Sequence, residues 1–267
     1  MTLFTLLLIA ALQGLTEFLP VSSSAHLILL PKLTGGADQG LAIDVAVHVG
    51  TLAAVVLYFW QDVRLGLSGL PRLCRGRLDT PGARLAFHLL LATLPVVLVG
   101  FVVKALGLSA AMRSIEVIGW AMLGFGLVLY WADRTGLADK TAENWTRRDA
   151  VIMGLAQAVA LIPGTSRSGI TISAARRLGY GRSAAARLSM LMSIPTIIAS
   201  GALLGLDVVQ GADWALAQAA AIAAAFAMCA ALVALALMMR LLQSVSFTPY
   251  VIYRIALGGV LLAIAYG

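Results

Sequence analysis

QGLTEFLPVSSSAH, residues Gln13 to His26, places a carboxylate, three hydroxyls and an imidazole inside an apolar run. A second polar segment, QAVALIPGTSRSG at Gln157 to Gly169, interrupts another apolar run and contains an arginine. With the proline of each segment aligned, Ser22 to Ser24 fall on Thr165 to Arg167. The two segments therefore indicate one structural unit that occurs twice in the chain.

The composition is typical of a membrane protein. Of the 267 residues, 61% are hydrophobic and 12% are charged, and the mean hydropathy is +0.95. A soluble domain of this length needs more polar surface, so we expect a polytopic helical membrane protein. The apolar start is interpreted as part of the mature fold and not as a signal peptide. Two cysteines predict neither a disulfide framework nor a metal site.

Six apolar stretches are long enough to cross a bilayer, at about 41–60, 84–106, 114–132, 186–206, 214–239 and 248–266. The net charge of +7 comes largely from arginines in short connectors, which is the usual consequence of orientation in a membrane and does not indicate nucleic-acid binding. The basic connectors at 61–84 and 176–187 are predicted to be cytoplasmic, and the connector at 207–213 to lie outside.

The two polar segments each divide a pair of short apolar stretches. Residues 1–16 and 23–33 form the first pair, and 150–162 and 169–180 the second. Broken segments of this kind predict re-entrant helical hairpins that line a buried or watered cavity. Because three spans follow each hairpin, the second hairpin should enter from the opposite side, and the polar residues should meet near mid-membrane.

The predicted fold is therefore all-α, with an inverted-topology repeat in which each half is a re-entrant hairpin followed by three transmembrane helices. We expect a single membrane domain over residues 1–267. Repeat 1 covers about 1–132, repeat 2 about 149–267, and a cytoplasmic linker about 133–148.

Arg167 carries the strongest chemical signal in the second hairpin. An arginine keeps its proton at membrane depth, so it needs an anionic partner, and its planar fork matches a phosphate. The neighbouring hydroxyls of Ser166, Ser168 and Thr171 add donors. A phosphate or a diphosphate fits this segment better than a cation does.

The first hairpin supplies the groups that a phosphate site lacks. Glu17 and the carbonyl of Gln13 are four residues apart on one helix face and could hold a divalent cation, with Gln13 the weaker ligand because an amide has no charge. A serine and His26 could act as a nucleophile and its base. Together the two hairpins predict metal-assisted phosphoryl transfer.

The two motifs resemble the two signatures of the bacterial undecaprenyl-diphosphate phosphatase family, also called the bacitracin-resistance family. QGLTEFLPVSSSAH matches the first signature and PGTSRSGIT the second, and the resemblance in length and hydropathy covers essentially the whole chain. It implies a bacterial inner-membrane enzyme that hydrolyses undecaprenyl diphosphate to undecaprenyl phosphate and recycles this lipid carrier for peptidoglycan and other envelope polymers. It also implies bacitracin resistance, dependence on Mg²⁺ or Ca²⁺, and a pocket that opens to the periplasm.

The resemblance also assigns roles to individual residues. The predicted catalytic residues are Ser23, His26, Glu17 and Arg167, and the predicted phosphate ligands besides Arg167 are Ser22, Ser24, Ser166, Ser168 and Thr171. The metal ligands are predicted to be Glu17 and, more weakly, Gln13. Within the hydroxyl run, Ser23 is the expected nucleophile because it is the middle residue and aligns with Ser166 beside the arginine.

Several alternatives stay open at this level. Glu17 could serve only as an ion-pair partner of Arg167, and some hydroxyls could simply cap the half-helices. His26 could be the nucleophile instead of the base. An inverted repeat would also suit a polyprenyl-phosphate flippase or another transporter, and a noncatalytic lipid-binding protein is a third class.

Two weaker patterns lie outside the motifs. Asp44 and His48, four apart, could support the site, although an ion pair facing the headgroups is the favoured interpretation. Small residues recur every fourth position from Ala219 to Ala231, which suits close helix packing within one subunit and, less favoured, a homodimer. The expected partners are the polyprenyl diphosphate substrate and membrane lipids.

Overall fold

The computed structural model describes residues 2–35, 39–108, 111–209 and 214–267. For residues 32–34 and 203–209 it describes the backbone alone. The predicted outside connector at 207–213 therefore lies partly beyond the described residues. Within these ranges the chain forms eleven α-helices and no strand. The helices are α1 Leu3–Phe18, α2 Ser23–Thr34, α3 Leu41–Tyr58, α4 Trp60–Leu73, α5 Pro81–Ala105, α6 Ile115–Thr135, α7 Arg147–Val159, α8 Arg167–Arg177, α9 Arg182–Val209, α10 Trp214–Leu241 and α11 Thr248–Tyr266.

Six of these helices are long and apolar enough to cross a membrane, which confirms the polytopic all-α class. They are α3, α5, α6, α9, α10 and α11, and each coincides with a predicted span. The main difference in boundary is at α9, which begins at Arg182 because the arginines of the preceding connector continue into the helix.

The two polar segments break two helices, as the sequence predicted. α1 and α2 are separated by residues 19–22, and α7 and α8 by residues 160–166. Each second half-helix follows a serine with a positive φ, 78° at Ser22 and 68° at Ser166. Three spanning helices follow each hairpin, while the inverted orientation of the halves and the repeat boundaries stay predictions.

The structure changes the alignment of the two hairpins by one residue. Ser22 and Ser166 occupy the same position, as the residue that precedes each second half-helix. Ser23 and Arg167 are consequently equivalent, each the first residue of its half-helix. The proline alignment missed this because the longer break in the second hairpin places its extra residues on both sides of Pro163.

The predicted loop at 61–84 is partly wrong, because α4 occupies Trp60–Leu73. Its glycines allow this helix to lie directly on α5. A methyl group at Gly69 would collide with the backbone of Gly82, so no larger residue fits that contact without movement. The arginines of this segment indicated a charged loop, but the segment contains a helix that packs on α5 through glycines.

The alanine stripe of α10 packs inside the subunit. Ala223, Ala227 and Ala231 are fully buried, and α10 lies against α1 and α3. A methyl group added at Gly14 or Gly50 would overlap the α10 backbone. The favoured intramolecular interpretation is confirmed, and since this stripe is already covered it lends no support to a homodimer.

Polar contacts tie the region from the end of α8 to the start of α9 to helices α6 and α7. Arg176 and Arg182 both pair with Asp133, at 3.2 and 2.8 Å. The Tyr180 hydroxyl donates to the Asp149 carboxylate over 2.6 Å. Burial, reinforced by this carboxylate, raises the pKa of the Tyr180 hydroxyl above its usual range. The base of α7 and α8 is thereby fixed at one end, away from the helix break.

Candidate active site

The breaks in the two hairpins meet each other. Arg167 at the start of α8 forms an ion pair with Glu17 near the end of α1, with 3.2 Å between Nη2 and Oε1. Ser168 donates its hydroxyl to the carbonyl oxygen of Leu19 over 3.1 Å. The side chains of Glu17 and Arg167 are 8% and 13% exposed, so both charges are held away from bulk solvent. The predicted meeting of acid and guanidinium is therefore observed.

Glu17 is the centre of this cluster. Its Oε2 atom accepts a hydrogen bond of 2.6 Å from Ser23 Oγ and one of 3.0 Å from Gln13 Nε2. Its other oxygen faces Arg167, so three side chains orient one carboxylate. A base must lie within hydrogen-bond distance of the proton that it removes, and Glu17 meets this condition for the Ser23 hydroxyl.

His26 is not paired with Ser23 in the structure. Its Nδ1 atom lies 2.7 Å from the backbone oxygen of Ser22, and its Nε2 atom lies 2.5 Å from the Tyr253 hydroxyl. A carbonyl only accepts, so Nδ1 carries the proton and Nε2 accepts from tyrosine in the neutral ring. Both ring nitrogens are occupied, and the arrangement differs from the serine–histidine pair that the motif suggested.

Helix N-termini converge on the same place. α2 begins at Ser23 and α8 at Arg167, so the free amide groups of both first turns lie at the junction of the hairpins. Helix N-termini favour anions because their amides point outward and the helix dipole is positive there. The backbone thus adds to the attraction that Arg167 exerts on a negative group.

The hydroxyls of the second hairpin mainly brace that hairpin. Ser166 Oγ caps α8 by accepting from the Gly169 amide at 3.2 Å. The Thr171 hydroxyl is fully buried and lies 2.6 Å from the hydroxyl of Ser189 on α9. The backbone carbonyl of Ser189 also accepts from Arg167 at 3.2 Å, a contact that the sequence motifs did not signal. The assignment of Ser166, Ser168 and Thr171 as phosphate ligands stays a prediction.

The hydroxyls of the first hairpin are more accessible. Ser24 is exposed and Ser23 is half-buried, whereas Ser22 is buried and lies 3.2 Å from Ser24 between hydroxyl oxygens. Their proposed contacts with phosphate also stay predictions. The accessible hydroxyls of the cluster are therefore those of the first hairpin.

Arg254 on α11 is a buried cation that the motifs did not reveal. It is fully buried and donates to the carbonyl oxygens of Pro20 and Gly164, one in each break, at 3.3 and 3.0 Å. It also donates to Met122 and Ala121 on α6. These bonds join the two breaks. Among the described residues no carboxylate pairs with Arg254, so it adds positive charge at the junction. Only its position as an isolated arginine within an apolar span could have signalled it.

His48 lies closer to the site than the favoured interpretation placed it. Its Nε2 atom is 3.9 Å from Oε2 of Glu17, and its Nδ1 atom bonds to the backbone oxygen of Asp44 at 2.7 Å. His48 therefore lies beside the site, as in the weaker alternative, whereas the pairing of the Asp44 and His48 side chains that this alternative included stays a prediction. Spacing alone could not show it because the carboxylate lies on a different helix.

A cavity of about 650 Å³ adjoins the cluster. Ser24, His48 and Pro163 line one part of it, and Lys104 and Arg113 line another. Most of its wall is apolar, with side chains from α2, α5 and α9. A molecule with an anionic head and a hydrocarbon body matches these two kinds of surface.

The residues present also fit a divalent cation. Gln13 is fully buried, and its Oε1 atom has no hydrogen-bond partner. That oxygen belongs to a side chain that already touches Glu17, and oxygen ligands are those that Mg²⁺ and Ca²⁺ select. Among the described residues, no group of three or more acidic, histidine or cysteine side chains is placed so that it could hold a metal ion. Mg²⁺ often binds through one or two carboxylates together with substrate phosphates, so this small donor set suffices only with a phosphate present.

Similarity to known proteins extends over the whole chain. The family model of the bacitracin resistance protein BacA matches residues 6–260. The chain belongs to the BacA family. It is 68% identical to the undecaprenyl-diphosphatase of Roseobacter denitrificans and 70% identical to that of Ruegeria pomeroyi, with all of both chains covered in each case. It is 47% identical to undecaprenyl-diphosphatase 1 of Rhodospirillum rubrum, over all of this chain and 96% of the relative.

Membership of the BacA family agrees with the architecture. Six helices capable of spanning a bilayer identify a multi-pass protein of the bacterial inner membrane. The matched region contains Glu17, Ser23, Arg167 and Arg254, so the observed cluster lies wholly inside the part that defines the family.

Proposed function

We propose that the protein is an undecaprenyl-diphosphatase, which hydrolyses the terminal phosphate of a polyprenyl diphosphate. The observation that carries the proposal is the cluster at the hairpin junction, where Glu17 binds Ser23 on one side and Arg167 on the other. A hydroxyl, a base and a cation within one contact network are the parts that phosphoryl transfer requires. The names of the relatives point to the same substrate.

The charges of the cluster suit a diphosphate better than a neutral ligand. Glu17 offsets one of the two guanidinium groups, Arg167 and Arg254, and the N-termini of α2 and α8 add further positive potential. A buried net positive charge is unfavourable unless an anion binds there. A diphosphate headgroup supplies that anion, and the apolar wall of the adjoining cavity suits the start of its prenyl chain.

Ser23 is the nucleophile in the proposed reaction. Its hydroxyl proton passes to Glu17 as Oγ bonds to the terminal phosphorus, and the bond from that phosphorus to the bridging oxygen breaks. Polyprenyl monophosphate leaves, and Arg167 offsets the charge on the phosphoryl oxygens. Glu17 gives the proton that it accepted to the departing monophosphate. Water then attacks the phosphoserine and loses one proton to Glu17, which donates it to Ser23 Oγ as the bond from Oγ to phosphorus breaks. Inorganic phosphate is released and the Ser23 hydroxyl is restored.

A divalent cation completes the proposed site. Gln13 Oε1 and Glu17 would hold Mg²⁺ or Ca²⁺, supported by the unpartnered amide oxygen and by the carboxylate beside it. When bound, the cation would neutralise charge on the diphosphate. Gln13 also positions the carboxylate directly, because its Nε2 atom donates to the oxygen that accepts from Ser23.

The proposed physiological role is recycling of the undecaprenyl carrier for peptidoglycan and envelope polymers, with bacitracin resistance as its consequence. We place the cavity mouth on the periplasmic side. Support comes from the basic connector containing α4, which favours the cytoplasm, at the opposite end of α5 from Lys104.

The test is phosphate release by the purified full-length protein in detergent, with undecaprenyl diphosphate and Mg²⁺. We expect turnover that stops with EDTA and with Arg167→Ala. Arg64→Ala is the matched control, because it removes an exposed arginine of α4 that does not line the cavity. Binding of the lipid without phosphate release would contradict the phosphatase and favour a polyprenyl-phosphate flippase.

A further inference from the structure

Tyr253 on α11 makes a contact that the proposed reaction does not explain. Its hydroxyl lies 2.5 Å from Nε2 of His26, and the two rings are nearly parallel, with 5.7 Å between centroids and 8° between planes. Tyr253 and His26 are far apart in sequence and on different hairpin-and-span units. The contact therefore connects the last helix of the chain to the first hairpin.

The other nitrogen of His26 holds a strained residue. Ser22 has a φ of 78°, and its carbonyl oxygen accepts from Nδ1 of His26 at 2.7 Å. A positive φ is unfavourable for a residue with a side chain and persists only where surrounding contacts fix it. Ser22 immediately precedes Ser23, so the orientation of its peptide group sets the direction of the Ser23 hydroxyl.

In the second hairpin, the serine with a positive φ is held without a histidine. Ser166 has a φ of 68°, and its own Oγ caps α8 through the Gly169 amide. Ser22 makes no such cap to α2. In the first hairpin, the side chain of His26 instead holds the Ser22 peptide through its carbonyl oxygen.

Tyr253 adjoins a residue that is anchored to both breaks. The next residue, Arg254, is fully buried and bonds to a carbonyl in each break. This anchoring fixes the register of α11 against both hairpins, and with it the position of the Tyr253 hydroxyl.

We propose that Tyr253 is a positioning residue, which fixes His26 in its Nδ1–H form and thereby holds the Ser22 peptide that aims Ser23 at Glu17. Without the tyrosine hydroxyl, Nε2 has no donor and the ring proton can move to either nitrogen. When the proton leaves Nδ1, the bond to the Ser22 oxygen is lost. Tyr253 then acts on the rate of reaction and not on the affinity for the diphosphate.

The kinetic test compares Tyr253→Phe with wild type, and it rests on the proposed phosphatase activity. Losing one partly exposed hydrogen bond of about 0.5–1.5 kcal/mol predicts a kcat lower by roughly 2- to 13-fold. The KM should change by less than about threefold, because no phosphate contact is removed. Tyr250→Phe on the same helix is the matched control and should keep the wild-type kcat. A kcat for Tyr253→Phe within about twofold of wild type would overturn the proposal.

A spectroscopic test reads the histidine directly and needs no turnover. In protein labelled with ¹⁵N-histidine in bilayers, His26 should show a protonated Nδ1 and a hydrogen-bonded, unprotonated Nε2; His26→Gln identifies its signals. Tyr253→Phe should move both ¹⁵N shifts, and Tyr250→Phe should not. Unchanged shifts in Tyr253→Phe would overturn the proposal even if kcat fell, because the role would then be structural.

The two tests also separate this inference from the proposed function. Absence of phosphate release from the wild-type protein would defeat the phosphatase, and the ¹⁵N shifts would still report whether Tyr253 fixes the proton on His26. Phosphate release at the wild-type rate by Tyr253→Phe would defeat the positioning role and leave the phosphatase intact.

Discussion

The two hairpins share a broken helix, a proline and a serine with positive φ, yet they present different surfaces. The first has a half-buried Ser23 and an exposed Ser24 next to the cavity. The second buries Ser168 and Thr171 completely, and their hydroxyls bond within the protein. Its one large contribution to the cluster is Arg167.

The equivalence of Ser23 and Arg167 gives this difference a physical meaning. Each is the first residue of a half-helix, with the amide groups of that first turn beside it. One position carries a hydroxyl that can attack, and the other carries a cation that can bind the group under attack. The two hairpins thus supply a pair of helix N-termini, and in the proposed reaction the difference at this one position separates the nucleophile from the electrostatic stabiliser.

The largest predicted losses of kcat come from substitutions at these two equivalent positions. Arg167→Ala should lower kcat by roughly 10³-fold or more, because a cation that offsets phosphoryl charge is lost. Ser23→Ala should lose several orders of magnitude as well and should still bind substrate. Phosphate release at saturating substrate measures kcat for both variants, and equilibrium binding of the lipid measures the affinity of Ser23→Ala for the substrate. Near-normal turnover by Ser23→Ala would remove the nucleophile assignment.

Glu17→Gln tests the base that joins the hairpins. The substitution keeps the size of the side chain and removes the charge, so kcat should fall by about 10²- to 10⁴-fold. Size-exclusion behaviour in detergent checks that the protein still folds. A rate equal to wild type would show that Glu17 only pairs with Arg167, which is the structural alternative.

Gln13→Glu sharpens the assignment of the cation to the first hairpin. A carboxylate in place of the amide should bind Mg²⁺ more tightly, and should lower the metal concentration that gives half-maximal phosphate release. Gln13→Leu should raise it, since the leucine offers no oxygen. Titration of EDTA-treated protein with Mg²⁺ measures both, and identical half-maximal concentrations would contradict a cation at Gln13.

Thr171→Val gives the smallest expected effect, and it tests the bracing role of the second hairpin. The buried hydroxyl bonds to Ser189 and to the α8 backbone, so its loss should destabilise the protein by about 1–3 kcal/mol. We expect a lower thermal midpoint, a kcat within about tenfold of wild type and an unchanged KM. A large rise in KM with unchanged stability would instead identify Thr171 as a phosphate ligand.

The sequence predicted the spans and the breaks well for a physical reason. A bilayer requires about 20 apolar residues per helix, and the unsatisfied backbone of a break requires polar residues nearby, so both leave a local signal. Glu17, Ser23 and Arg167 were found on that basis, and the structure brings the three together.

The parts that sequence reasoning missed depend on contacts between distant helices. Tyr253 and Arg254 lie in an ordinary apolar span, and their role is set by carbonyls and a ring nitrogen on other helices. The arginines of α4 indicated a loop, although the segment is a helix whose glycines pack against α5. His26 was expected to act with Ser23 because an imidazole suits proton transfer, but its two nitrogens face a backbone carbonyl and a tyrosine.

A structure with a non-hydrolysable methylene analogue of undecaprenyl diphosphate tests the shared site most directly. The terminal phosphorus should lie roughly 3–3.5 Å from Ser23 Oγ, with its oxygens on Arg167 and at the first turns of α2 and α8. A headgroup bound elsewhere in the cavity, or one that contacts only one hairpin, would contradict the division of labour between the two hairpins.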